Sequence, residues 1–404
     1  MAALGDAAPA LPGGLTGDRL LTLAAIRATP YLEALAELVA VDSGTDSPDG
    51  VNRMADRMTE LLTADGWSLT RTATRPVAAR RFGDVLVARR RGAGGATILL
   101  LGHLDTVFPD GTAAQRPLRI EEGRAYGPGV SDMKAGLLTG LHAAGVLFDA
   151  GFDGFGEMVF LLNPDEERGS PASRRFVVDE VERADAVLVL EAARENGDVV
   201  TSRKGVTTAR VEIEGRAAHA GVEPERGRSA VMEAARKIET LHQLNDRWPG
   251  ATVNVGVVHA GTRSNVVPEH AALDIDVRAT VEDTFVAVEA EVERIGALCE
   301  VQGVRSKATL VKEVRPMERT PGTERLFEAA QSIARELGFD LDEAATGGAS
   351  DANTTSALGV PTLDGLGPIG GDDHSAREWM DVTSVVPRTA LLAGLIAAVG
   401  ADGV

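Results

Sequence analysis

The stretch Ala96-Thr97-Ile98-Leu99-Leu100-Leu101-Gly102-His103-Leu104-Asp105 decides the fold. A short, nearly continuous apolar run ends abruptly in glycine, imidazole and carboxylate. Two further stretches have the same form. Glu157 to Leu162 runs into Asn163-Pro164-Asp165-Glu166-Glu167, and Ala186 to Leu190 runs into Glu191. Runs this short, set between helical stretches, predict buried strands of an α/β sheet. Ligand-binding side chains in such sheets collect beyond the carboxyl ends of the strands, which is where these polar clusters fall.

Upstream, Tyr31 to Val41 and Val51 to Ala64 carry helical periodicity, the second ended by Asp65-Gly66. Downstream the texture changes. Val211 and Ile213 alternate with polar residues, and Ser229 to Leu244 has helical spacing. Ala251 to His259 and Ala272 to Val277 read as strands, Val281 to Leu298 as a long helix with acids in its first turn, and Val304 to Val314 as a last strand. The order β-α-β-β-α-β is that of a ferredoxin-like unit. It predicts a small α+β domain, residues 204–314, inserted into an α/β domain built from residues 1–203 and 315–404. Helices are expected at Gly322 to Leu337 and Thr383 to Val399, around a glycine-rich segment bearing His374. Residues 1–15 are expected to form a mobile tail.

The chain has 404 residues, 44% hydrophobic and 25% charged, enough for two or three domains with a real core. Its formal net charge is −19, from 41 basic and 60 acidic residues, which argues against nucleic-acid or membrane-surface partners. Cys299 is the only cysteine, so no intrachain disulfide forms. It lies in an apolar stretch and reads as core rather than nucleophile. Residues 1–17 lack early basic residues and are interrupted by Pro9, Pro12, Gly13 and Gly14, unlike a signal peptide. These features make a cytoplasmic protein the expectation.

The polar clusters form one chemical set: His103 and Asp105, Asp132, Glu166 and Glu167, Glu191, and His374. Singly, each reads as a hydrogen-bonded pair or a solvated face. Together, imidazoles and carboxylates are the ligands of zinc or a similar divalent ion, and two metals can be served if one carboxylate bridges. The acid Asp132 sits in Tyr126-Gly127-Pro128-Gly129-Val130-Ser131-Asp132-Met133-Lys134-Ala135-Gly136, a tight glycine loop before a helix.

With these motifs the chain resembles the M20 metallopeptidases, from Val41-Asp42-Ser43-Gly44-Thr45 to the helix after His374. Thr346-Gly347-Gly348-Ala349-Ser350-Asp351-Ala352 and Arg315-Pro316 make it most similar to the glutamate carboxypeptidases (carboxypeptidase G-like enzymes). The resemblance implies a zinc-peptidase-like catalytic domain, a mixed sheet flanked by helices, with an inserted ferredoxin-like dimerisation and lid domain. It implies two Zn2+ per chain, with Co2+ or Mn2+ as substitutes. His103, Asp132 and Glu191 would hold one; Asp132, Glu167 and His374 would hold the other. Asp105 would orient the His103 ring, and Glu166 would be the general base. The peptide between Asp132 and Met133 would be cis.

In the inserted segment, His219 in Arg216-Ala217-Ala218-His219-Ala220-Gly221 resembles the histidine that steadies the oxyanion in a partner subunit's site. Asn265, Arg278, Arg315 and Gly348 resemble substrate-binding positions, Arg315 pairing with a carboxylate. The implied enzyme cleaves an amide beside a free carboxylate in a small peptide or N-acyl amino acid, releasing a C-terminal residue such as glutamate, and works as a homodimer. Ser202-Arg203-Lys204-Gly205 and Met133 depart from the carboxypeptidase pattern; the former is similar to deacylases and desuccinylases. An N-acyl-amino-acid deacylase is therefore the alternative, and a catalytically silent metal-binding scaffold a third reading. A nucleotide-binding α/β protein is excluded, because Gly92-Ala93-Gly94-Gly95 precedes a strand instead of following one.

Overall fold

The computed structural model describes residues 11–402, and the chain divides into two compact units. Among the described residues the first comprises 11–201, 319–345 and 350–402; the second comprises 202–318 with 346–349. Most of the tail expected over residues 1–15 lies outside the described residues. Leu11 and Leu15 are buried, so the expected mobility does not extend to them.

The first unit is built on a mixed six-stranded sheet in the order Ser68–Thr72, Val85–Arg91, Glu157–Asn163, Thr97–His103, Ala186–Val189, Thr362–Leu363. The three strands expected to end in polar clusters are parallel neighbours. His103 pairs with Asn163 and Leu101 with Val189, so their carboxyl ends reach the same edge. Ile98 to Leu101 are wholly buried, each side chain contributing about 1.5–3 kcal/mol by leaving water. The antiparallel pair Ser68–Thr72 and Val85–Arg91 makes the sheet mixed. The sequence reading assigned no strand there, because Arg89 to Arg91 and the half-exposed partner strand lack an apolar run.

Helices Gly17–Val39, Ala135–Asp149 and Val385–Asp402 pack on one another, and the last two also contact strand Thr97–His103. Gly17–Val39 begins well before the expected Tyr31. Pro30 obscures the pattern by removing a helical N–H, yet Leu20, Ala24, Tyr31, Leu35 and Leu38 form one buried stripe across it. Segment Val382–Ala401 is long and apolar enough by composition to cross a membrane, but 72% of its apolar window is buried inside the protein, as in a core helix.

The second unit follows the β-α-β-β-α-β order. Strands Gly205–Glu214, Thr252–Ala260, His270–Ala279 and Arg305–Val314 alternate with helices Ala230–His242 and Glu282–Ala297. The antiparallel sheet runs Thr252–Ala260, His270–Ala279, Gly205–Glu214, Arg305–Val314, the ferredoxin-like arrangement. Ala209, Val211 and Ile213 face Leu273, Ile275 and Val277 in a core separate from that of the first unit. Cys299 lies beyond the helix, half-buried against this core, with Sγ 3.1 Å from Ser306 Oγ.

Candidate metal centre

His103 closes strand Thr97–His103 and is buried. Its Nδ1 lies 3.0 Å from the Asp105 carbonyl oxygen and 3.3 Å from Asp105 Oδ1. A proton held there leaves the Nε2 lone pair as the ligand face, and Nε2 lies 2.9 Å from Asp132 Oδ1 and 3.7 Å from Glu191 Oε1. The buried Asp105 carboxylate accepts from Thr45 Oγ1 at 2.6 Å and from the N–H groups of Glu166 and Glu167 at 3.1 and 3.2 Å. One acid thus ties the His103 ring to the turn that carries both glutamates.

Asp132 lies in the irregular turn Val130–Lys134, between left-handed Gly129 and helix Ala135–Asp149. The Asp132–Met133 peptide is cis, as the resemblance implied. Helix Ala135–Asp149 starts hard against the end of the strand that delivers Glu191: a Cβ on Gly136 would collide with the Leu190 carbonyl oxygen. From the other side, Tyr31 donates its hydroxyl to the Ala135 carbonyl at 2.6 Å. Below the turn, the N–H groups of Gly129, Ser131 and Asp132 all donate to the buried Glu378 carboxylate, at 2.9, 2.8 and 3.0 Å.

Asp132 Oδ2 faces His374 Nε2 at 3.0 Å, and that nitrogen lies 3.2 Å from Glu167 Oε2. His374 occupies a backbone position with φ +60°, uncommon outside glycine. Two ligand groups result, His103–Asp132–Glu191 and Asp132–Glu167–His374, with candidate donor atoms within 4.8 Å of one another in each. Asp132 belongs to both. The five side chains come from five separate stretches of sequence.

Among the protein groups alone the electrostatics are lopsided. Burial and the neighbouring acids Glu191, Asp351 and Glu167 push the Glu166 carboxyl well above the usual range, against the opposing pull of His103. Burial also raises Glu167. Hydrogen bonds to Asp132 and Glu167 push His374 up to about 11. Burial disfavours a charged His103, but Asp105 and Asp132 outweigh it and raise that imidazole too. Glu167 Oε1 is buried with no hydrogen-bond partner. Clustered carboxylates, an orphaned carboxylate oxygen and two imidazoles aimed at them fit a divalent-cation site of the nitrogen-and-oxygen type.

Glu166 is half-buried beside both groups and belongs to neither. Two nearby acids escaped the sequence reading as individuals. Asp351, quoted only within a motif, is buried and held by Ser170 at 2.6 Å and by Asn163. Glu378 follows His374 by four residues, a spacing that carries no signal until the turn it grips is known. A cavity of about 440 Å³ lined by Thr45, Thr106, Phe108, Pro109 and Arg168 also has Glu167 in its wall.

The remaining candidates lie in the second unit. His219 and Asn265 come together: His219 bridges Val266, and the Asn265 carbonyl accepts from Ala220 N at 3.0 Å. The exposed His219 ring accepts from Gly221 N–H at Nδ1, 3.2 Å. Arg278 Nη1 donates to the Gly347 carbonyl at 2.7 Å, and buried Arg203 donates to Gly348 at 3.0 Å, so Arg278 and Gly348 meet on one loop. Arg315 is not brought to that loop. Its Nη1 pairs with Glu282 Oε1 at 2.9 Å and lies 3.8 Å from Glu289, and its guanidinium sits 5.6 Å from the centre of the Phe285 ring.

A family model described as Peptidase family M20/M25/M40 matches residues 99–398. The chain belongs to this family. Carboxypeptidase G2 of Pseudomonas sp. (strain RS-16) is 30% identical over 388 residues, 95% of this chain and 93% of that protein. Succinyl-diaminopimelate desuccinylase of Leptothrix cholodnii is 28% identical over 378 residues, 89% of this chain and 96% of that one. Among solved structures, aminopeptidase PepT from Bacillus cereus superposes with a TM-score of 0.78 at 24% identity, covering 92% of this chain and 98% of its own. A metallo-carboxypeptidase of the M20 family from Sulfolobus solfataricus gives 0.66 at 16% identity, covering 91% and 98%. The M20 chain described here is accordingly a hydrolase of the metallopeptidase and amidohydrolase type, with two candidate metal-binding groups.

Proposed function

We propose that the enzyme hydrolyses an amide bond beside a free carboxylate, using two divalent cations, zinc in the first instance. The observation that carries this reading is the Asp132 carboxylate, whose Oδ1 and Oδ2 face the Nε2 atoms of His103 and His374 at 2.9 and 3.0 Å. A carboxylate so divided is shaped to serve two sites. His103 and Glu191 would complete one, and Glu167 and His374 the other. Bound cations supply Lewis acidity and make a water proton labile.

The protein's own groups do the rest. Glu166, outside the ligand groups, takes a proton at its carboxylate and passes it to the leaving amine. Neutral His219 must carry its proton on Nε2, because Nδ1 accepts from Gly221, and Nε2–H is then a donor for a developing oxyanion. Asn265, Arg278 and Gly348 are the substrate-facing positions in this reading. Arg315 is given a structural role, since two glutamates already surround it. The cavity walled in part by Glu167 leaves room for the substrate's acyl side.

One relative is named a carboxypeptidase and another a desuccinylase, and amide hydrolysis covers both names. Release of a C-terminal amino acid such as glutamate is the preferred reading. The deacylase alternative is favoured by Ser202-Arg203-Lys204-Gly205, which stands where the carboxypeptidase pattern has a small Ser-Gly step. We further propose a homodimer. The edge strand Thr252–Ala260 exposes Val257 and Val258, and helix Ala230–His242 exposes Val231 and Met232, a surface suited to isologous pairing with a second copy. The lone half-buried thiol fits a cytoplasmic setting.

The test is a panel of peptidyl and N-acyl amino acids offered to zinc-loaded protein and read by amine release. Turnover of C-terminal glutamate or aspartate conjugates supports the carboxypeptidase reading. Turnover confined to simple N-acyl amino acids selects the deacylase, and no turnover of any amide by fully loaded protein sinks both.

A further inference from the structure

We infer that Glu378 is a positioning residue that clamps the Asp132 turn, and that it sets the affinity of both metal groups at once. The metal part of this inference rests on the function proposed above; the clamp does not.

Glu378 is 1% exposed, and its carboxylate accepts three backbone N–H groups from the four-residue stretch Gly129 to Asp132. Oε1 takes Ser131 and Asp132; Oε2 takes Gly129. Successive N–H groups converging on one anion form a nest, and a buried carboxylate is tolerated only with partners of this kind. The side chain is itself held. Glu378 precedes strand Trp379–Asp381, whose Trp379 pairs with Tyr126, at the end of the strand that leads into Gly127 and Gly129. His374 lies four residues before it. A single side chain therefore joins the loop that carries Asp132 to the loop that carries His374.

The arrangement fixes the backbone N–H of Asp132, and with it the direction in which the carboxylate leaves the turn. Both oxygens depend on that direction, one for each histidine. Loosening the clamp should weaken the two groups together. Loosening Asp105, which holds His103, Thr45 and the glutamate turn, should not act through Asp132 at all. Glutamine is no substitute at position 378. Its amide oxygen can replace one carboxylate oxygen, but its NH2 confronts the remaining N–H and leaves a buried donor unpaired. Aspartate keeps the charge and lacks the reach.

The experiment has two arms. In the first, amide hydrogen exchange is followed on metal-free wild-type protein for the peptide covering residues 128–134. Slow exchange at Gly129, Ser131 and Asp132 is expected without metal; exchange at the rate of an open loop overturns the clamp. In the second, wild type, Glu378→Gln and Glu378→Asp are titrated with zinc chloride against a chromophoric chelator. Both binding steps should weaken in parallel by roughly 10–100-fold in the Gln variant, and less in the Asp variant. Turnover, where measured, should lose kcat with KM little changed. A folded Gln variant that binds zinc at both steps like wild type overturns the inference. If the Gln variant does not fold, the Asp variant and the exchange arm decide it. Wild-type protein that binds no zinc defeats the proposed function, while the exchange arm still judges the clamp.

Discussion

The two compact units hold their polar residues in opposite ways. In the first, His103 and Asp105 are buried, Asp132, Glu167 and Glu191 are half-buried, and the parts of the cluster are gripped from behind by Thr45, Tyr31 or Glu378. In the second, His219 and Asn265 stand on exposed turns whose hydrogen bonds are mostly internal. The first arrangement pre-organises atoms that could not coexist comfortably without a counter-charge. The second leaves side-chain donors at the surface, with their backbone fixed and their outward atoms uncommitted to the core. Substitutions in the first unit should therefore remove cations or chemistry, and those in the second should remove transition-state or substrate contacts while leaving cations in place.

The largest effect should come from Asp132→Ala. Loss of the carboxylate common to both groups should bring metal content, measured by elemental analysis after dialysis, close to zero and turnover to background. Glu167→Ala should lose the second group alone. Wild-type protein that carries no more than one ion when fully active would remove the two-cation version and with it the special place of Asp132.

Next in size is Glu166→Gln. The side chain belongs to neither ligand group, so both metals should stay, while kcat falls by roughly 10²–10⁴ through loss of the base. Near-normal turnover with metals retained would assign proton transfer elsewhere, Asp351 being a buried acid whose charge is felt at Glu166.

The contrast between the units also explains what could be read in the sequence. Strands Thr97–His103, Glu157–Asn163 and Ala186–Val189 announced themselves because a buried parallel strand must be apolar throughout, and the polar residues at its end then stand out. His103, Glu167 and Glu191 stood out for that reason, whereas Asp132 stood in a glycine loop before a helix and His374 in a glycine-rich segment. The antiparallel pair at Ser68–Thr72 and Val85–Arg91 was not, since strands at one side of a sheet tolerate arginine and threonine. Helix Gly17–Val39 was half hidden by Pro30. Glu378 could not be found by pattern at all: its meaning lies in three N–H groups some 250 residues away in sequence, as the Glu378–Gly129 separation of 249 shows. At Arg315 the motif and the surroundings point different ways. A two-residue motif suggested a substrate contact, and the chain folds Glu282, Glu289 and Phe285 around it.

A third prediction separates sharing from simple proximity. His219→Ala should keep its metals and lose roughly 10²–10³ in kcat, the usual cost of one oxyanion donor. If His219 serves a partner's site, mixing inactive Glu166→Gln chains with inactive His219→Ala chains rebuilds one intact site in each mixed dimer. Random exchange makes about half of the dimers mixed, so activity should return toward a quarter of wild-type sites. Chains that exchange without recovery, or an active enzyme that sediments as a monomer, would count against the shared arrangement.

The smallest effect is expected at Arg315, and it is the sharpest test of how the second unit uses its arginines. Arg278 donates to the Asp276 carboxylate at 2.9 and 3.2 Å and still reaches the loop at Gly347, on the same short segment as Gly348, whereas Arg315 pairs with Glu282 and lies 3.8 Å from Glu289. A guanidinium that binds a substrate carboxylate makes charge-assisted hydrogen bonds of about 1.5–3 kcal/mol, so Arg278→Ala should raise KM by roughly 10–100-fold. Arg315 and Glu282 are both more than a third exposed, at 36% and 45% of their side-chain surface, and such pairs contribute about 0–1 kcal/mol to stability. Arg315→Ala should therefore lower the unfolding midpoint slightly and leave KM within about threefold of wild type, because no substrate contact is lost with it. Measuring KM for both variants on the best substrate of the panel decides the matter. An increase at Arg315 as large as that at Arg278 would mean that substrate pulls Arg315 away from its glutamates, and the division drawn here between structural and substrate-facing arginines would have to be reversed.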